Sequence, residues 1–343
     1  MWMRIPSDMT SRLPRFRSHN PAIGDRVVVR RRIEGADVHW TDVIGHVTAL
    51  DPLVVRPQSV GGMPSTAREI IIPDDQLEVV RILSPRTIRN SDIRAVEVAT
   101  AKAFPGLSNE WVDGWLLRAG DGITERSNSA SPLGPTTGFD PVPLDAIEEF
   151  YAAHSLPVRL HIPERIGKPA LKVISAEPEA WHLGPEILVM TRELSTLDPF
   201  TLPEGLEFRV DEQPDDDWLN MYHFRGHALP PHALELLRTR IDGQMGFGRL
   251  VTSLGQTVAI TRATITAAES RTFLGYSAVE VAPAYRRRGL GTALGARIQH
   301  WGAEMGAAEA YLQVISRNEA GIGLYTKLGF TEHHRHRYAK RTR

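Results

Sequence analysis

The residues from Val279 to Gly291 read VEVAPAYRRRGLG, and their types and spacing suit the binding of an anion. Val279 and Val281 flank Glu280 in a β-branched run, and Pro283 ends it. Gly289 and Gly291 then open a segment whose apolar Leu290, Leu294, Ile298 and Trp301 recur at helical spacing. Strand, turn and helix N-terminus follow one another. Two residues without Cβ let the backbone N–H groups of Arg287 to Gly291 converge on one point. There the unpaired donors of a first helical turn and the positive end of its dipole favour phosphate or pyrophosphate. Arg286, Arg287 and Arg288 add positive charge. Two common phosphate loops are excluded by spacing. A dinucleotide fingerprint needs glycine where Leu294 stands, and a P-loop needs a lysine where Gly291 is followed directly by Thr292. A plain tight turn is the alternative reading of Gly-x-Gly.

Downstream, Tyr311–Val314 reads as a strand, Asn318 falls in a loop, and 320–328 fits a short helix that closes in Tyr325-Thr326-Lys327-Leu328-Gly329-Phe330 with glycine at its C-cap. Arg286-x-x-Gly289-x-Gly291 resembles the pyrophosphate loop of the GNAT acetyltransferases, Arg/Gln-x-x-Gly-x-Gly/Ala. The strand, asparagine and helix ending in Leu-Tyr-x-x-x-Gly-Phe resemble the next motif of that family, in the same order, over about residues 207–338.

That resemblance implies acetyl-CoA as co-substrate, with no metal, bound by Val279 and Val281 through their backbone, by Arg286, Arg287, Arg288, Gly289, Leu290, Gly291 and Thr292, and by Asn318. It implies that Tyr325 lies near the CoA sulfur and protonates the thiolate, which a phenol of pKa ~10 can do at neutral pH. Strand alternation sets Glu280 opposite Val279 and Val281. If the valines pack beneath the helix, Glu280 faces the acceptor groove and accepts an amine proton, directly or through water. The structural alternatives are a solvated carboxylate at Glu280, aromatic packing at Tyr325 and a loop cap at Asn318.

Composition sets limits. A chain of 343 residues with 42% hydrophobic and 24% charged residues has core enough for two or three globular domains. A net charge of −1 gives no general attraction to nucleic acid, leaving only local basic patches. The absence of cysteine excludes disulfides, thiolate metal sites and a cysteine acyl-enzyme. No apolar run reaches the ~20 residues that span a bilayer, and 1–20, with Arg4, Arg12, Arg15 and Arg17, reads as a flexible basic leader rather than a signal peptide, so a cytoplasmic protein is expected.

In chain order, 26–30, 41–50, 53–56 and 69–72 are β-rich and separated by Asp51-Pro52 and Gly61-Gly62, which predicts a small all-β barrel over 21–84. It resembles a Src-homology-3-like module at the front of some actinobacterial GNAT proteins. Arg30-Arg31-Arg32 is read as a solvated edge strand, with contact to an anionic partner as the alternative. Pro85 marks a boundary. Helix 90–103 with Ser91 as N-cap, a hairpin around Asp121-Gly122, helix 144–153 and strands 158–162 and 186–192 follow. Gly134-Pro135-Thr136-Thr137-Gly138 replaces the phosphate loop, so 85–196 resembles the inactive half of tandem GNAT proteins, to which Trp115-Leu116-Leu117-Arg118 and Asn128-Ser129 also match. Asn128 or Arg126 lines a cleft between halves, or Asn128 is structural. After a linker at 197–203 come strand 206–210, helices 215–225 and 231–241, and paired strands 247–254 and 257–266 around Gly255-Gln256.

His333-His334-Arg335-His336-Arg337 is read as an exposed basic final strand, because no carboxylate or third ligand stands at metal spacing. The resulting expectation is an α+β tandem GNAT fold with a mixed sheet: a small barrel, a degenerate N-terminal half and a catalytic C-terminal half, 197–343. The chain resembles actinobacterial proteins that carry a histone-type acetyltransferase label, which implies a protein lysine acceptor. The chemistry equally admits a small-molecule amine, and a non-catalytic CoA-sensing or partner-binding module is the alternative of a different class.

Overall fold

The computed structural model describes residues 16–17, 21–33, 39–59, 62–83, 87–224, 227–228 and 231–342. Arg4, Arg12 and Arg15 of the expected leader, Gly61, the boundary residue Pro85 and Arg225 lie outside the described residues. The chain divides into two compact units, Met1–Thr87 and Ile88–Arg343.

The first unit is a six-stranded, barrel-like sheet ordered Phe16–Arg17, Leu77–Ile82, Arg26–Ile33, His39–Leu50, Leu53–Pro57 and Ile70–Ile72. Alternating Val27, Val29, Val43, Val47, Val55 and Val80 point into one core. The Arg30-Arg31-Arg32 strand is not an edge: it pairs with His39–Leu50 on one side and Leu77–Ile82 on the other. Arg30 meets Asp42 in a two-pronged exposed ion pair at 2.9 and 3.0 Å across the strands.

The second unit is built on one twelve-stranded sheet. From one edge its strands run Leu206–Asp211, Gln244–Thr252, Thr257–Ala268, Arg271–Val281, Glu309–Ile315, Ile187–Glu193, Thr331–Arg341, Arg159–Pro163, Ala130–Pro132, Trp115–Ala119 and Ser108–Val112, with Trp181–Leu183 also on Thr331–Arg341. Strands are exchanged across the middle. Ile187–Glu193 lies antiparallel between Glu309–Ile315 and Thr331–Arg341, whereas Thr331–Arg341, at the far end of the sequence, pairs with Arg159–Pro163. Helix Asn90–Ala103 likewise packs Ala95, Val96 and Ala99 on Val189, Ala268, Phe273 and Tyr311.

Local chemistry accounts for two departures from expectation. The N-cap of that helix is Arg89, not Ser91, and its N–H donates to the Asp92 carboxylate at 2.9 Å. The first hairpin turns at Asp113-Gly114, both in the left-handed region, and pairs Ser108–Val112 with Trp115–Ala119. Asp121-Gly122 belongs instead to a loop held by Asn128, whose Oδ1 accepts from the N–H groups of Gly120 and Gly122 at 2.9 and 3.0 Å. A helix at Lys168–Ala176 was not foreseen.

The final strand is not exposed. His333, His334 and His336 are buried at the centre of the sheet, and helix Asn90–Ala103 brings the buried Glu97 to them. His334 Nε2 lies 2.8 Å from Glu97 Oε1, His161 Nε2 lies 2.7 Å from His336 Nδ1, and Ser131 Oγ lies 3.1 Å from His161 Nδ1. Glu97, His161 and His336 thus supply the carboxylate and third donor that the sequence left unseen, with ligand atoms within 4.8 Å of one another. The 2.7 Å imidazole contact has the spacing of a hydrogen bond. Two nitrogens on one tetrahedral zinc at ~2.0 Å each stand roughly 3.3 Å apart.

Burial pushes the pKa of His161, His334 and His336 down, to about 3 for His334 and about 4 for His336, and pushes Glu97 up. Below the ordinary imidazole value the unfolded chain therefore takes up protons that the folded histidines refuse, so acid weakens folding. Glu97 opposes this, because the folded state holds a proton that the unfolded carboxyl releases. With three groups against one, stability falls between about pH 6.5 and 4.5 by roughly 1–3 kcal/mol per pH unit. Urea unfolding at pH 7.0 and 5.5 reads this as a lower midpoint at pH 5.5. A constant or higher midpoint contradicts it.

Candidate active site

Strands Arg271–Val281 and Glu309–Ile315 run parallel but pair only at Phe273/Glu309, Leu274/Ala310 and Gly275/Tyr311. Beyond Gly275 the first strand continues to Val281 with no strand partner on that side among the described residues, so peptide groups from Tyr276 onward face a fork. Tyr311 stands at the last of these pairs, packed over Gly275. A Cβ built on Gly275 stands 2.6 Å from both Cζ and Oη of Tyr311, so only glycine lets the ring lie there. On its other side the strand is bulged: Ile260 opposes Glu280 and Arg262 opposes Ser277, so Thr261 alone faces Ala278 and Val279, with Ala278 at φ 55°. Thr261 Oγ1 donates to the Ser277 carbonyl at 3.0 Å and holds the bulge. A cleft of about 250 Å³ opens at the fork, bordered by Phe104, Arg126, Arg262, Tyr276 and Tyr311 among others.

The strand leads into a preformed loop. Pro283–Tyr285 makes one 3₁₀ turn, Arg286 Nε donates back to the Val281 carbonyl at 3.1 Å, and the Tyr285 hydroxyl donates to Gln256 Oε1 at 2.9 Å. The Arg288 guanidinium stands 5.3 Å from the Tyr285 ring centroid. Arg287 and Gly289 both adopt positive φ, 60° and 78°, and helix Leu290–Glu304 begins with the Ala293 N–H on the Gly289 carbonyl at 2.9 Å. Among the described residues the N–H groups of Arg287 to Thr292 have no acceptor in the protein. They form an open row of donors at a helix start, beside three exposed arginines, where an anion fits. Leu290 contributes only its amide, since its side chain is buried against Leu250, Val258 and Ala259. A Cβ on Gly291 meets Leu324 at 3.3 Å, so this position is tight as well as donor-rich.

Val279 and Val281 pack on the core beneath this helix, with Leu290, Ala293 and Leu294. Glu280, between them, acts electrostatically on Tyr325. Tyr325 sits on helix Glu319–Lys327 with its ring edge-on to Tyr276 and Phe330, centroids 6.2 and 6.3 Å away. Burial, reinforced by the Glu280 charge, pushes its hydroxyl up to about 12, so it holds its proton at neutral pH. Asn318 caps that helix: its Oδ1 accepts the Gly321 N–H at 3.0 Å, which leaves the amide nitrogen for other partners.

Five residues at the fork were not singled out from sequence. Tyr276 is buried with a hydroxyl that has no partner among the described residues, and burial raises its pKa well above the phenol value. Tyr311, Gly275, Phe104 and Arg262 complete the walls. The β-branched alternation locates the strand, but only its register across the sheet shows which residues end at the fork. Of the pair considered for the cleft, Arg126 lines it and Asn128 is structural.

A family model described as "Probable histone acetyltransferase Rv0428c C-terminal" matches residues 90–339, and one described as "Rv0428c N-terminal Sm-like domain" matches residues 21–62. The chain is 34% identical over 323 residues to the probable histone acetyltransferase Rv0428c of Mycobacterium tuberculosis, covering 93% of this chain and 95% of the relative. It is 27% identical over 251 residues to the uncharacterized N-acetyltransferase YobR of Bacillus subtilis, covering 71% and 97%. Two solved structures share its fold. One is a GCN5-related N-acetyltransferase from Kribbella flavida, with TM-score 0.51 and 17% identity over 74% of this chain and 95% of that one. The other is a tandem GNAT protein from the clavulanic acid biosynthesis pathway, with TM-score 0.51 and 14% identity over 71% and 86%.

The fork makes a stability prediction that needs no ligand. Gly275→Ala forces Tyr311 and Thr264 aside and costs about 1–3 kcal/mol in denaturant unfolding. Gly323→Ala, on the exposed face of helix Glu319–Lys327 with open space around its Cβ, is neutral or stabilises by up to about 1 kcal/mol. Equal effects of the two substitutions contradict this close packing of Tyr311 on Gly275.

Proposed function

This chain belongs to the Rv0428c-type GNAT N-acetyltransferases, and from that premise we propose that it transfers an acetyl group from acetyl-CoA to a primary amine at the fork. The observation that carries the proposal is the continuity of three features: an unpaired strand edge from Tyr276 to Val281, an open row of amides from Arg287 to Thr292 at its end, and a protonated phenol, Tyr325, beside it.

The diphosphate of the coenzyme is held by the amides of Arg287, Arg288, Gly289, Leu290, Gly291 and Thr292, with guanidinium charge from Arg287 and Arg288, while Arg286 fixes the strand end. The pantetheine extends along the peptide groups of Val279 and Val281, and the Asn318 amide nitrogen offers it a donor. Bound this way, the coenzyme supplies a thioester to the fork. The amine nitrogen attacks the acyl carbon, the C–S bond breaks, and the sulfur takes the proton of the Tyr325 hydroxyl. Glu280 accepts the proton that the amine loses, directly or through one water, and a proton returning from Glu280 to the tyrosinate closes the cycle. Burial keeps the phenol protonated until the thiolate forms.

The second reading, a CoA-binding module without turnover, makes the opposite prediction for Tyr325. Thiol release is measured with acetyl-CoA and a panel of amines. Tyr325→Phe lowers kcat about 10²–10⁴-fold while acetyl-CoA affinity stays within a few-fold. An unchanged rate removes Tyr325 from the proton transfer, and binding without turnover on any acceptor favours the module.

Calorimetric titration with acetyl-CoA tests the amide row separately. Gly291→Glu puts a carboxylate into the diphosphate site and lowers affinity by about 3–4 kcal/mol, whereas Gly291→Ala adds only the tight contact with Leu324 and costs about 1 kcal/mol. Equal affinities for the two variants place the diphosphate elsewhere.

A further inference from the structure

Two guanidinium groups converge on one phenylalanine in the cleft at the fork. The Cζ atoms of Arg126 and Arg262 lie 3.9 and 4.2 Å from the centroid of the Phe104 ring. Arg262 is 1% exposed, and its neighbours give it little in return: Nη2 donates to the Ala103 carbonyl at 2.6 Å and Nε approaches Met245 Sδ at 3.5 Å. Burial lowers its pKa to about 10, which leaves it charged at neutral pH. Arg126 is half-buried in the same cleft. Among the described residues neither forms an ion pair with a carboxylate.

Three partly buried arginines elsewhere in this unit each meet two carboxylates. Arg249 pairs with Asp211 and Asp215, Arg271 with Asp92 and Glu309, and Arg335 with Glu186 and Glu332. A buried cation without a counter-charge is costly, and two adjacent ones repel each other as well. Buried Arg118 also lacks a carboxylate, but its guanidinium donates to the Phe104 carbonyl and to the Ser129 and Ser131 hydroxyls. Arg126 and Arg262 instead stand on the wall of the cleft where the proposed reaction needs a bound acceptor, a wall to which both halves of the chain contribute: Phe104 and Arg126 precede residue 130, while Arg262, Tyr276 and Tyr311 follow residue 260.

We infer that Arg126 and Arg262 bind a carboxylate of the acceptor, so that the substrate is a small amine-bearing carboxylic acid of amino-acid type. This rests on the acetyltransferase reading and narrows it. The coenzyme's own phosphates are not the missing anion. They occupy the amides beyond Arg286, and from Tyr276 to Val281 the extended strand covers about 17 Å, so the arginine pair lies at the thioester end. A guanidinium matches a planar carboxylate with two parallel N–H donors, and contact with the Phe104 ring holds both guanidinium groups at the cleft wall. The cleft is small, about 250 Å³ with its open mouth, which favours a compact acceptor group over a folded polypeptide segment. The acceptor amine, tethered to the held carboxylate, is thereby directed towards the thioester.

The test compares matched acceptors by thiol release: free L-lysine, its carboxamide, cadaverine, phosphoethanolamine and a lysine inside an end-blocked histone-like peptide. A series of other free amino acids is run beside their carboxamides. The free acids exceed their carboxamides at least tenfold in kcat/KM. Arg126→Gln abolishes that ratio by raising KM for the acids, Arg126→Lys restores part of it, and the affinity for acetyl-CoA stays within a few-fold. Arg262→Lys reports on the buried partner, with its circular dichroism and melting temperature recorded first, since this variant bears on folding. Phosphoethanolamine outpacing every carboxylate reassigns the pair to a phosphorylated amine, and preference for the blocked peptide with no effect of Arg126→Gln overturns the inference. Should no acceptor turn over, calorimetry on the CoA-loaded protein decides: the acids binding and the carboxamides failing supports it, and equal binding or none refutes it. Loss of acetyl-CoA binding itself counts against the broader acetyltransferase reading and is seen independently.

Discussion

One constraint organises the second unit: two parallel strands that pair at Gly275 and Tyr311 and then separate. A sheet normally satisfies every interior N–H and C=O, so an unpaired edge within it exists only where something else can use it. Here a ring lies where a Cβ would otherwise stand at the last paired position, and the edge beyond it carries a bulge with Ala278 in the left-handed region. Those features run from the cleft to the start of helix Leu290–Glu304, so a ligand with an extended arm and an anionic end meets donors along its whole length.

The strand exchange explains why a half without its own phosphate loop is present at all. Ile187–Glu193 is the far neighbour of Glu309–Ile315, and Thr331–Arg341 is the neighbour of Arg159–Pro163, so neither side of the sheet is complete without strands from the other. The first half also reaches the fork directly. Helix Asn90–Ala103 packs on Phe273 and Tyr311, and the segment that follows supplies Phe104. The buried network of Glu97, His161, His334 and His336 joins that helix to both sides of the exchange. It is consistent with histidines kept neutral by burial and hydrogen-bonded in place of an apolar core.

Much of this was legible in the residues. Arg286-x-x-Gly289-x-Gly291 marks a strand, a turn and a helix start by types alone, and the spacing from Leu324 to Phe330 marks a helix whose tyrosine faces inward. Alternating valines in 26–55 foretell the barrel-like core. What was not legible is non-local. Nothing in Ile187–Glu193 or Thr331–Arg341 says which strands they pair with, so the histidines read as exposed when the far side of the sheet covers them. Asp121-Gly122 and Asp113-Gly114 are equally good turns by composition, and only Asn128, which occupies the N–H groups of Gly120 and Gly122, decides between them. Arg262 gave no signal, because an arginine in an apolar run is ordinary until its missing partner is noticed in three dimensions.

Backbone amide hydrogen exchange with and without acetyl-CoA addresses most directly whether the unpaired edge is the coenzyme site. The fork predicts slowed exchange at Val279 and Val281 and across Arg287 to Thr292, with the strands of the first unit unaffected. Protection confined to other segments, with those amides exchanging as fast as in the free protein, contradicts it.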